Sequence, residues 1–411
     1  MTKRIIAITF IFICTAIAWA ILGATIFART YDSSSVSSGQ VESTWGAPQN
    51  QAPPTASFKK QVSKDGETVE NGVIVKKTWT EDVPVDLPLE SSKINVDLDL
   101  DHRQKGLLWY STYRVHFSGL YSFRNTSDKD QTVTFELAFP TAQAIYDDLT
   151  FNVDGNPTSI TNEKSIAKAS VNVGAGKTAQ LQVGYTSQGL NQWRYSFGAG
   201  EVTQVKDFNL HMTTNFKDID FPENTLSPTQ KSQNDKGWEL TWSYKNLLSG
   251  YQIAMTMPEK LQPGPLAGRI SLFAPVSLFF FFFLMLIITT MRGIDLHPMN
   301  YFFLAAAFFS FHLLLAYLVD HISIHASFAI SAAVSVFLVV SYLRLVVGTR
   351  FATREAALAQ FVYLIMFSYA FFLKGFTGLA ITIGSVLTLF VVMQVTGRIH
   401  WAEKFAAKEP V

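Results

Sequence analysis

Ionisable side chains are sparse in the second half of this sequence, so the few present invite a chemical reading. His312 sits in the middle of the apolar run Tyr301–Val319, and Asp320, His321 and His325 come next in the turn "VDHISIH". His297 stands just before that run. Histidine titrates near neutral pH, so this group could serve as a proton-sensitive gate or a cation site. The same residues have plainer uses. His312 can hydrogen-bond a neighbouring helix, and the turn can cap a helix end in water. His297, His312, Asp320, His321 and His325 are the candidate functional polar residues.

Elsewhere the chemical signals are thin. Gly176-Lys177-Thr178 matches the end of a phosphate loop, but Val171 occupies the position that needs glycine. Residues Ala179–Tyr185 also alternate like a strand, where the motif requires a helix. Asp97, Asp99 and Asp101 resemble the start of a calcium loop, yet His102 and Leu108 stand where glycine and glutamate are required. With Val96, Leu98 and Leu100 interleaved, the aspartates read as one wet face of a strand. His102, His116 and His211 lack metal-ligand spacing, and no nucleophile elbow, zinc-protease helix or dinucleotide fingerprint is present. The single Cys14 excludes an intramolecular disulfide and a cysteine zinc site. No catalytic residue, cofactor or metal site is therefore expected, and the chain reads as non-enzymatic.

The elements that would position these residues are apolar helices. Ile270–Val395 is apolar apart from short interruptions and opens on the block Phe279–Phe283. About 20 apolar residues wound as a helix match the hydrocarbon core of a bilayer. The run resolves into Ser271–Thr290, Tyr301–Val319, Ser327–Val346, Ala357–Leu373 and Gly378–Val395. Ile5–Phe27, after Lys3 and Arg4, adds an N-terminal span; it is longer than the apolar core of a signal peptide, although Ala18-Trp19-Ala20 could serve as a cleavage site. Tyr301, Tyr342, Tyr363 and Trp401 fall near the expected interfaces.

Between the first span and the rest lies a different kind of chain. Thr30–Ser57 is rich in Ser, Gln, Pro and Thr and reads as a flexible linker. From there to about Pro258 the apolar period is two, as in Val133/Phe135/Leu137/Phe139 and Trp238/Leu240/Trp242/Tyr244, with turns such as Asp154-Gly155. That pattern predicts a large antiparallel β-sandwich. The expected fold is an α+β membrane protein with six transmembrane helices: residues 1–28 as the first helix, 29–57 as linker, 58–262 as the inserted β-sandwich, 263–397 as a five-helix bundle and 398–411 as a cytoplasmic tail.

Charge sets an orientation. The net charge of +1 conceals an acidic β region and a basic remainder, an arrangement that argues against nucleic-acid binding. With the N-terminus inside, one side collects Lys3, Arg4, Arg292, Arg344, Arg350, Arg354, Arg398, Lys404 and Lys408, and the other only Arg29, Arg269 and Lys374. The positive-inside rule then places both termini in the cytoplasm and the β region outside.

Several stretches resemble a known family. "DLHPMNYFFLAAAFFSFHLLLAYLVDHISIHASFAISAAVSVFLVVSYL" is similar to the membrane half of CreD, a bacterial inner-membrane protein family linked to cell-envelope integrity. The likeness rests on Leu296-His297-Pro298 opening a span, the turn Asp320-His321-Ile322 and the small-residue helix after it. "MPEKLQPGPLAGRISLFAPVSLFFFF" and the overall plan also resemble that family. The resemblance implies a Gram-negative inner membrane, a periplasmic β domain and an envelope-maintenance or stress role, and it brings no catalytic residues. The expected partners are the lipid bilayer and a periplasmic or membrane protein, with a homo-oligomer compatible. The rival expectation is a small-solute or ion transporter, or a pH-responsive sensor, built on His312 and the Asp320/His321/His325 turn.

Overall fold

The computed structural model describes residues 2–70, 73–105, 108–198 and 202–397; the expected tail, 398–411, lies outside the described residues. It divides into two compact units. One is helical, formed by Met1–Val36 and the chain from Leu261, and the other is β-rich, formed by Ser37–Lys105 and Trp109–Lys260.

Among the described residues, six helices are long and apolar enough to cross a membrane. The first, Arg4–Tyr31, lies within α1 (Thr2–Thr44). The others are α2 (Pro263–Met291), α3 (Pro298–Leu318), α4 (Ile324–Val346), α5 (Thr349–Phe372) and α6 (Thr377–Thr396). Their starts reflect local chemistry. Pro298 occupies the first turn of α3 and His297 caps it, its Nδ1 accepting from the Met299 N–H at 3.2 Å. Proline costs nothing there, because the first-turn N–H groups have no helical partner. Ser323 caps α4 in the same way, accepting from the Ala326 N–H. The Phe279–Phe283 block divides by helical period: Phe281 and Phe282 are buried against Phe308 and Tyr301, while Phe279 and Phe283 face outward. Tyr301 and Tyr363 are buried among the helices.

The described part of the β-rich unit contains sixteen strands. The first eight are β1 (Gln49–Gln51), β2 (Thr55–Glu70), β3 (Val73–Asp86), β4 (Leu89–Lys105), β5 (Leu108–Arg124), β6 (Gln131–Ala138), β7 (Tyr146–Val153) and β8 (Asn156–Pro157). Then come β9 (Thr161–Glu163), β10 (Ile166–Val173), β11 (Thr178–Leu190), β12 (Gln192–Tyr195), β13 (Thr203–Thr214), β14 (Gln230–Gln233), β15 (Trp238–Ser249) and β16 (Ile253–Thr256). The largest sheet runs β14-β15-β13-β4-β5-β11-β7-β8, the second β3-β2-β6-β10-β9 and the smallest β1-β12-β16. β13 pairs with β4, and β1 with β12, in parallel, while pairs such as β5 with β11, β2 with β3 and β13 with β15 are antiparallel. Side chains alternate as expected: Ile94, Val96 and Leu98 are buried, while Asp97, Asp99 and Asp101 are exposed. Val133, Phe135, Tyr121, Phe123, Leu210 and Trp242, from both larger sheets, belong to one hydrophobic core. Asp154 (φ 50°) and Gly155 (φ 78°) form the tight turn, since a type I′ hairpin needs positive φ at both central residues. Gly176 (φ 67°) lies in the tight turn between β10 and β11, closed by the Lys177 N–H on the Gly174 carbonyl at 3.1 Å. Because β10 and β11 belong to different sheets, Gly176-Lys177-Thr178 is a turn from one sheet to the other, not the expected hairpin. A strand follows it where a phosphate loop needs a helix.

The linker expected at 29–57 is corrected by the structure. α1 continues through Thr44, β1 covers Gln49–Gln51 and β2 begins at Thr55. Polar composition misleads here because the glutamines hydrogen-bond to distant parts of the protein. Gln49 donates to Ser187 Oγ at 2.8 Å and to the Gln188 carbonyl at 2.9 Å, and Gln51 accepts the Tyr185 hydroxyl at 2.7 Å. Trp45 is also engaged, its ring 3.4 Å from the Arg103 guanidinium carbon.

Candidate functional site

The sequence-predicted polar residues do not converge. His312 is buried, with Nδ1 3.1 Å from the Phe308 carbonyl one turn back on its own helix. Its ring meets Trp19 and Phe311 edge-on, at centroid distances of 5.3 and 4.8 Å. His297 and Asp320 lie about 22 Å and 12 Å from it along the helix, from the rise per residue. His321 and His325 are exposed. The His325 ring packs 5.3 Å from Phe372.

Asp320 has a partner that the sequence does not single out. Arg29 of α1 reaches both carboxylate oxygens, at 3.0 and 3.3 Å, and donates to the Ala316 carbonyl at 2.8 Å. Its guanidinium also lies 5.4 Å from the centre of the Tyr317 ring. At the other end of the same span, Arg4 pairs with Asp295 at 3.1 Å. Between these clamps Trp19 is 0% exposed and packs on Phe309 and His312. A two-point planar contact to a carboxylate fixes orientation as well as charge. Asp320 thus anchors a helix, and His312 helps line the surface on which that helix rests.

A second cluster joins the other helices, and sequence reasoning misses it. Gln360 is fully buried and donates to Ser335 Oγ at 2.9 Å, while Ser335 donates to the Ala307 carbonyl at 2.6 Å. Ser277 donates to the Tyr363 carbonyl, and the Tyr363 hydroxyl donates to Thr388 Oγ1 at 2.9 Å. These bonds connect α2, α3, α4, α5 and α6. The α5 backbone is π-helical at Ala352–Ala356 and Phe361–Met366, on either side of Gln360. Wide turns of this kind displace carbonyls from the regular ladder and recur at functional positions. Among the described residues, Gln360 Oε1 and Ser331 Oγ are buried without partners. The cluster carries no carboxylate, histidine or lysine, so it is suited to hydrogen bonding between helices and not to acid–base work. The available signal is a Ser/Gln pattern within apolar runs, which is easily taken for filler.

The helices also approach closely at small residues. A Cβ at Gly264 would fall 2.5 Å from Thr30 Oγ1, and one at Gly268 would fall 3.0 Å from the Phe27 ring. Gly264 and Gly268 form a G-x-x-x-G at the start of α2, a spacing that brings helices together.

In the β-rich unit, β2 pairs with β6 only over Thr55–Phe58, whereas its register with β3 runs from Ser57 to Glu70. From Lys59 outward the pair is a two-stranded ribbon. Val62 is 36% and Trp79 44% exposed on one of its faces, with the pair Lys64–Glu81 at 2.6 Å. At the centre of the unit, Tyr113, Tyr121, Tyr185 and Tyr195 are buried, and burial pushes their phenols upward; that of Tyr146 is pushed up to about 12. These phenols stay protonated at any physiological pH. Tyr113, Tyr146 and Tyr185 donate to the Gln192 carbonyl, the Thr141 carbonyl and Gln51 Oε1, and the Tyr121 and Tyr195 hydroxyls share one bond.

Residues 1–402 match the family described as "Inner membrane protein CreD". The chain belongs to the CreD family. Its six apolar helices fit a multi-pass inner-membrane protein. No curated protein matches this CreD-family chain. Among solved structures, one from Legionella pneumophila, described as a nutrient binding protein, is 10% identical, with 57% of this chain and 76% of that chain covered and a TM-score of 0.31. An M1 zinc metallopeptidase from Deinococcus radiodurans is 10% identical, with 41% and 42% covered and a TM-score of 0.23. The alignment spans about two fifths of the metallopeptidase, and likenesses this weak carry no functional inference.

Proposed function

We propose that this CreD-family protein is a non-enzymatic inner-membrane protein that supports cell-envelope integrity under stress. In this reading the β-rich unit is periplasmic and binds a periplasmic or membrane protein, while the helices anchor it and both termini are cytoplasmic. The observation that carries the reading is the β2–β3 ribbon. A hairpin paired only with itself is marginally stable in water, and exposed Val62 and Trp79 give a partner apolar surface to cover. The candidate histidines lend the transporter reading less support, because His312 is engaged by its own helix and Asp320 by Arg29.

The test shortens the ribbon from Gln61 to Glu81 to a tight turn and returns that variant to a deletion strain. Photo-crosslinkers at Val62 and Trp79 in the full chain are used in parallel. The deletion strain is expected to show raised envelope permeability and detergent sensitivity, which the full chain restores and the shortened one does not. The crosslinkers are expected to capture one discrete protein. Full restoration by the shortened chain would remove the ribbon from the function, and an unaltered deletion strain under every stress would remove the envelope role.

A further inference from the structure

A groove of about 700 Å³ runs between α4 and α5, lined by Ala333 and Val336 on one side and Ala357, Phe361 and Ile365 on the other. Small side chains keep it open, and nothing acidic lines it. Arg354 lines the end of the groove nearest the start of α5; it is exposed and has no ion-pair or hydrogen-bond partner among the described residues. Two further arginines, Arg350 and Arg344, are exposed near this end, at the start of α5 and the last turn of α4. The carboxylate next along, Glu355, is already taken by Arg292.

We propose that this groove holds one acyl chain of an anionic phospholipid, with the phosphate on Arg354. Length and charge both point to that occupant. From Arg354 to Ile365 the helix advances about 16 Å at the usual rise per residue, and half of the roughly 30 Å hydrocarbon core is about 15 Å. The lining contributed by α5 therefore spans about one leaflet, with α4 flanking it over the turn 332–336. Its charge also matches: a guanidinium without a carboxylate, at the level where an apolar groove ends, complements a phosphate placed at the top of an acyl chain. Arg354 lies in the π-helical segment Ala352–Ala356, a backbone irregularity of the kind found at binding positions. The occupant extends the interhelical surface of α4 and α5 and would tie the bundle to lipid composition.

The full chain, purified and exchanged into nanodiscs of defined mixtures, is probed by native mass spectrometry with phosphatidylglycerol and phosphatidylethanolamine in competition. Wild type is expected to retain phosphatidylglycerol about fivefold over phosphatidylethanolamine, the factor typical of one basic residue at an anionic surface. Arg354→Gln should abolish the preference and Arg354→Lys should keep most of it. Ala357→Phe fills the groove without touching the charge and should lower retention of both lipids. A photo-crosslinker at Val336 should attach to lipid. Equal retention of the two lipids by wild type, a preference that survives Arg354→Gln, unchanged retention by Ala357→Phe, or capture of a second copy at Val336 would each overturn the proposal.

Discussion

Gln51 is fully buried, accepts the Tyr185 hydroxyl at 2.7 Å and donates its amide to the carbonyls of Ala52 and Ala138. Its energetic weight lies in what its loss would strand. Gln51→Leu leaves a buried phenol without an acceptor, a change that costs about 1–3 kcal/mol, whereas apolar replacement of both partners approaches neutrality. Gln51→Leu is therefore expected to lower the urea midpoint of the β-rich unit, monitored by tryptophan fluorescence, and Gln51→Leu with Tyr185→Phe should recover part of that loss. An additive double variant would mean that the two side chains do not act as a pair. The same residue explains why "PQNQAPPTAS" misreads as a linker. Composition weighs apolar area, and here the chain is held by side-chain amides bonded to carbonyls of strands distant in sequence, which no local pattern records.

Among the elements, α1 is legible only in part. The apolar run to Phe27 reads plainly as a span, but the helix continues through Ser-rich sequence of weak helix propensity as far as Thr44. What docks its apolar part is a set of long-range contacts: Arg4 with Asp295, Arg29 with Asp320, Trp19 on α3, and Phe27 against the bare backbone at Gly268. Strands are the easier reading, since β4 or β15 shows its period of two within a single window. The π-helical turns of α5 fall within an apolar run whose composition does not set them apart from ordinary helix. The clamps make a prediction for α1 as an uncleaved, docked helix. With a protease site placed after Trp45 and cut in detergent, the severed α1 should copurify with the remainder. Gly268→Leu, which drives a side chain into Phe27, and Arg29→Gln should each release it more readily. Copurification unchanged in both variants would make these contacts incidental, and a mature chain starting after Ala20 would exclude the docked helix altogether.

At the scale of the whole molecule, the charge count and the ion pairs give the same alternation by independent routes. Arg4, at the start of the first span, pairs with Asp295 in the connection between α2 and α3, and Arg29, at its end, pairs with Asp320 in the turn between α3 and α4. Successive connections therefore lie at opposite ends of the helices, as six crossings require. Lysine and arginine weighting then selects which end is cytoplasmic. In a Cys14→Ser background, Ser159→Cys reports on an exposed position of the β-rich unit and Thr349→Cys on the exposed start of α5. In spheroplasts with intact inner membranes, a membrane-impermeant maleimide should label Ser159→Cys at once and Thr349→Cys only after permeabilisation. The reverse pattern would invert the orientation and move the ribbon to the cytoplasm, away from any periplasmic partner. Labelling of both without permeabilisation would break the alternation itself, and with it the six-span reading that the two ion pairs and the charge count jointly support.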